Sequence, residues 1–228
     1  MLKSILIPIH PAGFPFIGIF VCLTIIFWFI SDILAIVGVV LTLWCIYFFR
    51  NPKRVTPTRE GLIISPADGV VQMISKSKPP EELNMGETPV YRIAIFMNVF
   101  DVHINRCPVS GVISEKYYKP GKFFNASLDK ASELNERMSI KATMHDGSNV
   151  AFVQIAGLIA RRILCFVEEG DELKAGERFG LIRFGSRVDV YLPPNIEPHV
   201  CIGQLSIGGE TILADCNSGE TGRFGRIN

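Results

Sequence analysis

Residues 178–193 are Arg-Phe-Gly-Leu-Ile-Arg-Phe-Gly-Ser-Arg-Val-Asp-Val-Tyr-Leu-Pro. Two runs rich in β-forming residues, Arg178–Phe184 and Arg187–Leu192, flank the dipeptide Gly185-Ser186. A Gly-Ser pair between two such runs is typical of a hairpin turn or a bulge. The stretch is not the G-x-S-x-G elbow of a hydrolase, because Val188 stands at the second glycine position and no helix follows. It therefore predicts β structure on both sides of a hairpin turn or a bulge.

The same pattern of short β-rich runs and Gly, Pro, Asn and Asp turns continues outward from this stretch to Pro52. It predicts a catalytic or binding domain over residues 55–228 that is mainly β (α+β), with barrel, sandwich or hammerhead-like elements. One helix is expected at Ser127–Arg137, capped by Asn125 or Ser127. The remaining predicted strands are Gly61–Ser65, Gly69–Ser75, Val90–Val99, Val109–Tyr118, Asn149–Ile155, Ile163–Glu168 and Thr211–Ala214.

Residues 1–54 have a different composition and predict a membrane anchor. Two apolar runs, 14–30 and 33–49, are separated by Ser31-Asp32, and Asp32 is the one formal charge between Phe14 and Phe49. One interpretation is a single long tilted helix with Asp32 inside it. The other is a transmembrane helical hairpin that turns at Ser31-Asp32. We favour the hairpin, because a lone carboxylate at the bilayer centre is costly.

Basic residues flank the two runs and predict the orientation of the anchor. Lys3 precedes the first run, and Arg50, Lys53 and Arg54 follow the second. Positive charge at both ends places both ends on the cytoplasmic side of the cell membrane. A cleavable signal peptide fits poorly, because the apolar stretch is too long and no small-x-small site closes it.

Charge and cysteine content exclude several classes of protein. Lys and Arg total 23 and Asp and Glu total 22 among 228 residues, so the near-neutral chain is not a nucleic-acid binder. A mean hydropathy of +0.31 agrees with a membrane segment. The six cysteines form no C-x-x-C pair, which argues against a zinc site or a disulfide framework and for buried free thiols in a reducing compartment.

Two further segments carry polar residues at the edges of β runs. Asp68 lies in Ser65-Pro66-Ala67-Asp68-Gly69, where Asp-Gly before a strand is ordinarily a turn. His103 follows an apolar strand within Asp101-Val102-His103-Ile104-Asn105-Arg106. A structural histidine and a functional one are about equally expected there. Asn135-Glu136-Arg137, taken alone, is interpreted as a solvated helix end.

In this order the segments resemble the short, bacterial-type phosphatidylserine decarboxylase proenzymes. The resemblance covers nearly the whole chain. It rests on the N-terminal anchor, 65–69, 101–103, Pro120-Gly121-Lys122-Phe123, 135–137 and, most of all, 184–193. Gly185-Ser186 matches the self-cleavage site of the family.

The resemblance implies that Ser186 attacks the carbonyl of Gly185 and that the resulting ester breaks by β-elimination. A β chain of residues 1–185 and an α chain of residues 186–228 would result, and the α chain would begin with a pyruvoyl group. That covalent cofactor would form a Schiff base with the serine amine of phosphatidylserine and act as the electron sink for loss of CO₂. The product would be phosphatidylethanolamine. No metal is implied, and the family tends to form homodimers.

Individual roles also follow from the resemblance. Asp68 matches the catalytic Asp that orients a histidine, and His103 matches the proton donor in decarboxylation. Longer relatives carry a second histidine, assigned as the base for self-cleavage, where this chain has Arg106. Either His103 then serves both steps or another group activates Ser186. Arg106 is a candidate for binding the phosphate or carboxylate of the substrate.

Three other classes compete with this interpretation. A cell-wall metallopeptidase shares P-x-D-G-x-V stretches but needs an H-x-H zinc pair that the sequence lacks. A hammerhead carrier domain needs a lysine beside methionine at a hairpin tip, and Lys174 has no such neighbour. A membrane-anchored, non-catalytic lipid-binding protein would leave Gly185-Ser186 uncut.

Overall fold

The computed structural model describes residues 7–121, 134–157, 162–183, 186–223 and 225–226. The chain divides into two compact units. The first, the helical unit, comprises residues 1–53 with Phe100–Val102, and the second, the β unit, comprises residues 54–99 and 103–228.

Two apolar helices, α1 (Phe14–Trp28) and α2 (Asp32–Phe48), make up most of the described helical unit. The first helix ends where Phe29, Ile30 and Ser31 donate their amides back into its last turn. Ser31 then takes an extended conformation, and Asp32 opens α2, where a carboxylate complements the positive end of the helix dipole. The stretch 11–28 is long and apolar enough to cross a membrane by length and composition, and α2 is slightly shorter.

The two helices contact each other through small and hydroxyl side chains. Thr24 Oγ1 and Thr42 Oγ1 lie 3.1 Å apart, and each hydroxyl also donates to the carbonyl four residues earlier. Gly38 permits this approach, since a Cβ there would lie 2.7 Å from Thr24 Oγ1. Small residues at such a contact are the usual means by which apolar helices associate without a hydrophobic driving force.

Thirteen strands are present in the described part of the β unit, and they pair antiparallel in three sheets. The largest sheet curls into a half-barrel with the order β12-β2-β3-β11-β7-β6-β5-β9. The others are β4-β10-β8 and β1-β13. The strands are β1 (Leu62–Ile64), β2 (Gly69–Ser77), β3 (Val90–Met97), β4 (Ile104–Arg106), β5 (Gly111–Lys119), β6 (Arg137–Thr143), β7 (Asn149–Ala156), β8 (Ile163–Cys165), β9 (Glu172–Leu173), β10 (Arg178–Ile182), β11 (Ser186–Tyr191), β12 (Leu205–Ser206) and β13 (Ile212–Asp215).

Strand β11 is the structural centre of the large sheet. It pairs with β3 on one side and β7 on the other along its whole length, and all six of its residues are buried. Val188 and Val190 face the main apolar core with Phe152 and Phe179, whose rings meet edge to face. Burial on both faces keeps the strand rigid, because neither side chains nor backbone groups contact water.

The prediction of mainly β structure after the apolar helices is confirmed, and each predicted strand overlaps an observed one. The hammerhead-like elements stay a prediction. Most of the predicted helix at Ser127–Arg137 lies outside the described residues, but its end is wrong, since Arg137 begins β6. That strand alternates Met138, Ile140 and Ala142 with polar residues, and the polar face is also buried. The alternation was overlooked because buried polar residues resemble an exposed helix end.

The interpretation of Gly185-Ser186 as the turn of a hairpin is also wrong. The runs on either side form β10 and β11, which belong to different sheets and do not pair with each other. Ser186 is itself the first residue of β11 and faces the interior. The chain thus passes from one sheet to another between Ile182 and Ser186.

Candidate active site

Ser186 lies at one end of the large sheet, where three strands begin or finish. It pairs with Met97, the last residue of β3, and with Ala156, the last residue of β7. Its side chain is fully buried, and Oγ lies 4.0 Å from Met97 Sδ. Gly185 lies outside the described residues. Ser186 therefore has an apolar, water-poor environment in which a charge or dipole nearby acts strongly.

Asp68 approaches the same end of the sheet from β2. Gly69 begins β2 with a φ of +150°, and a Cβ there would lie 2.1 Å from the carbonyl oxygen of Phe96 and 3.3 Å from Met97 Cα. A side chain at Gly69 is excluded by this close approach. Gly69 and Ser186 thus lie on opposite sides of β3, and two strand spacings separate their backbones by about 10 Å.

The carboxylate of Asp68 is held by groups distant in sequence. Oδ2 lies 2.6 Å from Arg54 Nη2, and Oδ1 accepts a hydrogen bond from the amide of Gly208 at 2.8 Å. The side chains of Arg54 and Asp68 are both largely buried. The local turn that the sequence predicts is stabilised by Ser65, whose hydroxyl donates to the carbonyl of Ala67 at 2.8 Å. Asp68 is therefore positioned by tertiary contacts.

His103 is fully buried directly before β4. Its carbonyl accepts a hydrogen bond from the amide of Ile182 at 3.2 Å, which ties it to the end of β10. Two residues on, Asn105 Nδ2 lies 3.6 Å from Met97 Sδ, the same sulfur that contacts Ser186. The segment of His103 and β4 thus packs beside the strand ends near Ser186. The orientation of His103 by Asp68 stays a prediction.

Asn105 belongs to a buried amide pair that sequence reasoning missed. Gln154 Nε2 donates to Asn105 Oδ1 at 2.8 Å, and both side chains are fully buried. Gly180 provides the room, because a Cβ there would lie 2.7 Å from Gln154 Nε2. The pair links β7 to β4 and so fixes the distance between the Ser186 end of the large sheet and the His103 segment. An isolated glutamine in an apolar strand was the one available signal.

Arg106 lies in a cluster of charged groups beside Asp68. Its amide donates to the carbonyl of Pro66 at 2.9 Å, and Nη1 donates to the carbonyl of Gly176 at 2.8 Å. Gly209, with a φ of +83°, leaves space for it, since a Cβ there would lie 2.7 Å from Arg106 Cδ.

The electrostatics of Arg106 follow from this position. Its pKa is lowered to about 10, mainly by burial and then by the nearby charges of Arg178 and Arg54, while Asp68 and Glu210 oppose the change. Arg106 is still a cation at neutral pH, because a pKa of about 10 lies well above 7. It can bind an anion but cannot take a proton from a hydroxyl.

The prediction of a solvated helix end at 135–137 is wrong, because Asn135 and Glu136 are buried. Asn135 Nδ2 donates to the carbonyl of Ala156 at 2.8 Å, and the amide of Ala156 donates to the carbonyl of Glu136 at 3.0 Å. Ala156 pairs directly with Ser186. The two residues therefore secure the strand end beside the candidate nucleophile.

A buried ion pair occupies the opposite face of β11. Arg187 Nε lies 2.7 Å from Asp189 Oδ1 and Nη2 lies 2.9 Å from Oδ2, so the contact is bidentate. Both side chains are essentially inaccessible to solvent. Arg92 Nη1 lies 3.8 Å from Asp189 Oδ2. The pKa of Tyr191 is raised to about 12, mainly by burial and then by the negative charge of Asp189. This network lies directly after the position predicted for cleavage.

Two thiols of the β unit, Cys107 and Cys216, are not activated. Burial raises the pKa of Cys107 to about 12 and that of Cys216 to about 11, so both are protonated at neutral pH. All six cysteines are free. Within the ranges that the structure covers, His, Cys, Asp and Glu side chains form no group of three or more that could hold a metal ion.

Comparison with known proteins identifies relatives along nearly the whole chain. The family model for phosphatidylserine decarboxylase matches residues 41–214. A phosphatidylserine decarboxylase proenzyme of Ruegeria pomeroyi is 59% identical over 215 residues, which are 94% of this chain and 98% of the relative. Proenzymes of the same name from Paramagnetospirillum magneticum and Cereibacter sphaeroides are 56% and 55% identical over 225 residues. These alignments cover 99% of this chain and 94% and 97% of the relatives.

Proposed function

Because the chain belongs to the phosphatidylserine decarboxylase family, we propose that it decarboxylates phosphatidylserine to phosphatidylethanolamine after cutting itself between Gly185 and Ser186. The observation that carries this proposal is the position of Ser186. It is a fully buried serine at the first residue of the central strand, at the sheet end that Asp68 and His103 also approach.

Self-cleavage needs only groups of this chain and water. Ser186 Oγ attacks the carbonyl carbon of Gly185, the peptide bond breaks, and the hydroxyl proton passes to the nitrogen of residue 186. Loss of the Cα proton then breaks the Cβ–Oγ bond and leaves Gly185 with a carboxylate. The dehydroalanine tautomerises to an imine, which water hydrolyses with release of ammonia. His103 or Asp68 is the base, because Arg106 remains protonated at neutral pH.

A pyruvoyl group fits the position of Ser186. The group has one heavy atom fewer than the serine residue it replaces, so it needs no more space than Ser186 has beside Met97 and Ala156. When present, its ketone carbonyl supplies an electrophile for a primary amine and an electron sink for loss of CO₂. The apolar contacts of Ser186 exclude water from that carbonyl.

The other residues have separate roles in the proposal. His103 holds the proton that ends on the substrate carbon after CO₂ leaves, and Asp68 stabilises the charge near it. Arg106 binds the phosphate or carboxylate of the headgroup, supported by Arg178 and by Arg54, whose charges already act on it. These cations offset the anionic charge of the lipid at a largely buried site.

The helical unit gives the protein access to its substrate. We propose that α1 and α2 cross the cell membrane as a hairpin and that the β unit lies on the cytoplasmic side. The apolar length of residues 11–28 and the contact between Thr24 and Thr42 support this arrangement. A diacyl lipid leaves the bilayer only at high cost, so the enzyme has to work at the membrane surface.

Mass spectrometry of the denatured, detergent-solubilised protein tests the proposal. We expect a chain of residues 1–185 and a chain of residues 186–228. The smaller chain should be lighter than a serine-started peptide by the mass of one ammonia, and it should resist Edman degradation. The same preparation should release CO₂ from phosphatidylserine. A single uncut chain without activity would instead support the non-catalytic lipid-binding alternative.

A further inference from the structure

A group of large aliphatic side chains, here named the apolar rim, is exposed on the β unit. It consists of Val55, Ile202, Leu205 and Ile207, of which Leu205 is 73% exposed and Ile202 61%. Exposed aliphatic residues that lie together on a soluble surface usually mark a site of contact with a membrane or a protein.

The backbone presents these side chains outward. A turn at 201–204 is closed by the bond from the amide of Gln204 to the carbonyl of Cys201 at 3.1 Å. Strand β12 follows, and Ser206 is buried while Leu205 and Ile207 on either side are exposed. This alternation fixes Leu205 and Ile207 on the outer face. In the described part of the large sheet β12 is the edge strand, a place where proteins usually carry charged residues.

The rim borders the candidate active site. In β12, Leu205 pairs with Val70 and Ser206 pairs with Gly69. The next residues form the turn in which the amide of Gly208 binds Asp68 at 2.8 Å. A lipid that contacts the rim with its acyl chains would therefore have its headgroup near Asp68.

The other end of the rim is joined to the segment that leaves the membrane anchor. The amide of Val55 donates to Glu210 Oε1 at 3.0 Å, and the amide of Glu210 donates to the carbonyl of Ile207 at 3.0 Å. Only four residues, 50–53, lie between Phe49, the C-cap of α2, and Arg54. Fully extended, the five Cα–Cα steps from Phe49 to Arg54 span at most about 18 Å. In the proposed arrangement, this short covalent link limits how far Val55 can lie from the bilayer in which α2 ends.

We propose that the apolar rim inserts into the membrane interface and admits the lipid headgroup to the site from the bilayer. The inference rests on the proposed function and adds a second membrane contact, on the catalytic side of the chain. The headgroup passes the edge of β12 toward Asp68 and Arg106, while the acyl chains stay among Ile202, Leu205 and Ile207. The substrate then never needs to be extracted fully into water.

The size of the rim favours a membrane over a second copy of the chain. A stable protein interface buries about 800 Å² on each partner, more than four aliphatic side chains supply. Strand β12 has only two residues, which is too short for stable pairing between sheet edges. Shallow insertion into lipid has no such size requirement, because each buried side chain contributes separately.

Fluorescence quenching tests the insertion independently of catalysis. The full chain with Trp28→Phe and Trp44→Phe carries one new tryptophan, Leu205→Trp, in vesicles that contain brominated phosphatidylcholine and phosphatidylserine. We expect strong quenching by lipids brominated near the headgroup. The matched control is Val112→Trp, an exposed position on β5 near the opposite edge of the sheet, which should stay unquenched. Equally weak quenching of the tryptophans at positions 205 and 112 would overturn the proposal. The rim would then contact protein and not lipid.

Kinetics provide the second measurement. The triple variant Ile202→Ser, Leu205→Ser, Ile207→Ser should lose at least about fivefold in kcat/KM on vesicle phosphatidylserine, because apolar insertion is lost. Its kcat/KM on monomeric dihexanoyl phosphatidylserine should fall much less, because that substrate needs no insertion of the rim into a membrane, and self-cleavage should be unchanged. Val112→Ser should behave as wild type on both substrates. Equal losses of kcat/KM on both substrates in the triple variant would contradict insertion of the rim. A wild-type protein that is inactive on both substrates would contradict the proposed function, and the quenching result would still stand.

Discussion

The two faces of β11 are equally buried but chemically opposite. On one face, Ser186 lies against Met97 and the apolar core. On the other face, Arg187 and Asp189 form a bidentate ion pair with Arg92 nearby. The buried charges of β11 lie on the face where Arg187 and Asp189, two residues apart, neutralise each other. An unpaired buried charge would cost several kcal/mol.

The difference separates reaction from support. The Ser186 face places the proposed nucleophile beside Met97 and Ala156, and in the proposed mechanism its activation depends on His103 and Asp68. The Arg187 face fixes the residue that follows the proposed cut. A chain terminus ordinarily frays, so an anchored Arg187 limits the motion of residue 186 once Gly185 is released. Four substitutions test this division, beginning with the largest expected effect.

Ser186→Ala removes the nucleophile and should abolish both cleavage and decarboxylation. The side chain is shortened by one atom in a site that contacts Met97, so the fold should persist. Denaturing electrophoresis and CO₂ release measure the two outcomes, with circular dichroism as the control for folding. Decarboxylation by an intact Ser186→Ala chain would exclude the mechanism.

His103→Ala should lower decarboxylation by at least about a hundredfold, because a positioned proton donor contributes this much. Cleavage is scored separately by mass spectrometry, since loss of cleavage as well would assign both steps to His103. His145→Ala is the matched control, because it removes an exposed histidine in the turn between β6 and β7, away from the candidate site. Wild-type turnover in His103→Ala would remove the assigned role.

Arg187→Met leaves Asp189 buried without its closest cation, and we expect a loss of about 3–5 kcal/mol in the free energy of unfolding. Urea denaturation of the uncut Ser186→Ala precursor gives a single-chain measurement. The double variant Arg187→Met, Asp189→Leu should recover most of the loss, since no unmatched carboxylate remains. A double variant as unstable as the single one would mean that packing, not charge, dominates on this face.

Arg106→Met should have the smallest effect on the stability of the fold. It should stabilise the protein slightly, whereas Arg187→Met should destabilise it. Burial lowers the pKa of Arg106 in the folded protein to about 10, below its unfolded value, so folding disfavours the protonated form. The penalty is fully present below about pH 10 and diminishes as pH rises through that value.

At pH 7.5, a typical assay pH, Arg106→Met should therefore raise Tm slightly while raising KM about tenfold, the effect of one lost charge-assisted hydrogen bond. Calorimetry and steady-state kinetics measure the two changes. A lower Tm with an unchanged KM would make Arg106 a structural residue.

The sequence predicts the parts of this molecule that depend on local pattern. The apolar runs at 14–30 and 33–49 correspond to α1 and α2, and the strands around Val90 and Asn149 lie within a few residues of their predicted bounds. Asp68, His103 and Ser186 were selected by their order along the chain. Their convergence at one end of the sheet depends on pairings between strands far apart in sequence, which a local pattern does not contain.

The parts that were missed depend on burial of polar groups. Strand β6 was overlooked because Arg137, Ser139 and Lys141 resemble surface residues, although the partly buried Glu82 and Glu115 pair with them. The same reason applies to Gln154. Arg54 was assigned to the membrane flank, yet its side chain binds Asp68. A charge far from its partner in sequence gives no signal until the fold brings the two together.

The position of β11 has a consequence for how the protein can be made. If the chain is cut before Ser186, the fragment of residues 186–228 supplies the strand between β3 and β7. The two pieces are then interleaved, and neither contains a complete sheet. The precursor folds as one molecule, whereas the mature enzyme, once unfolded, must find its partner by diffusion at a concentration-dependent rate. Cleavage would thus make unfolding of the mature enzyme difficult to reverse. The working lifetime of the enzyme would then be set by its rate of unfolding.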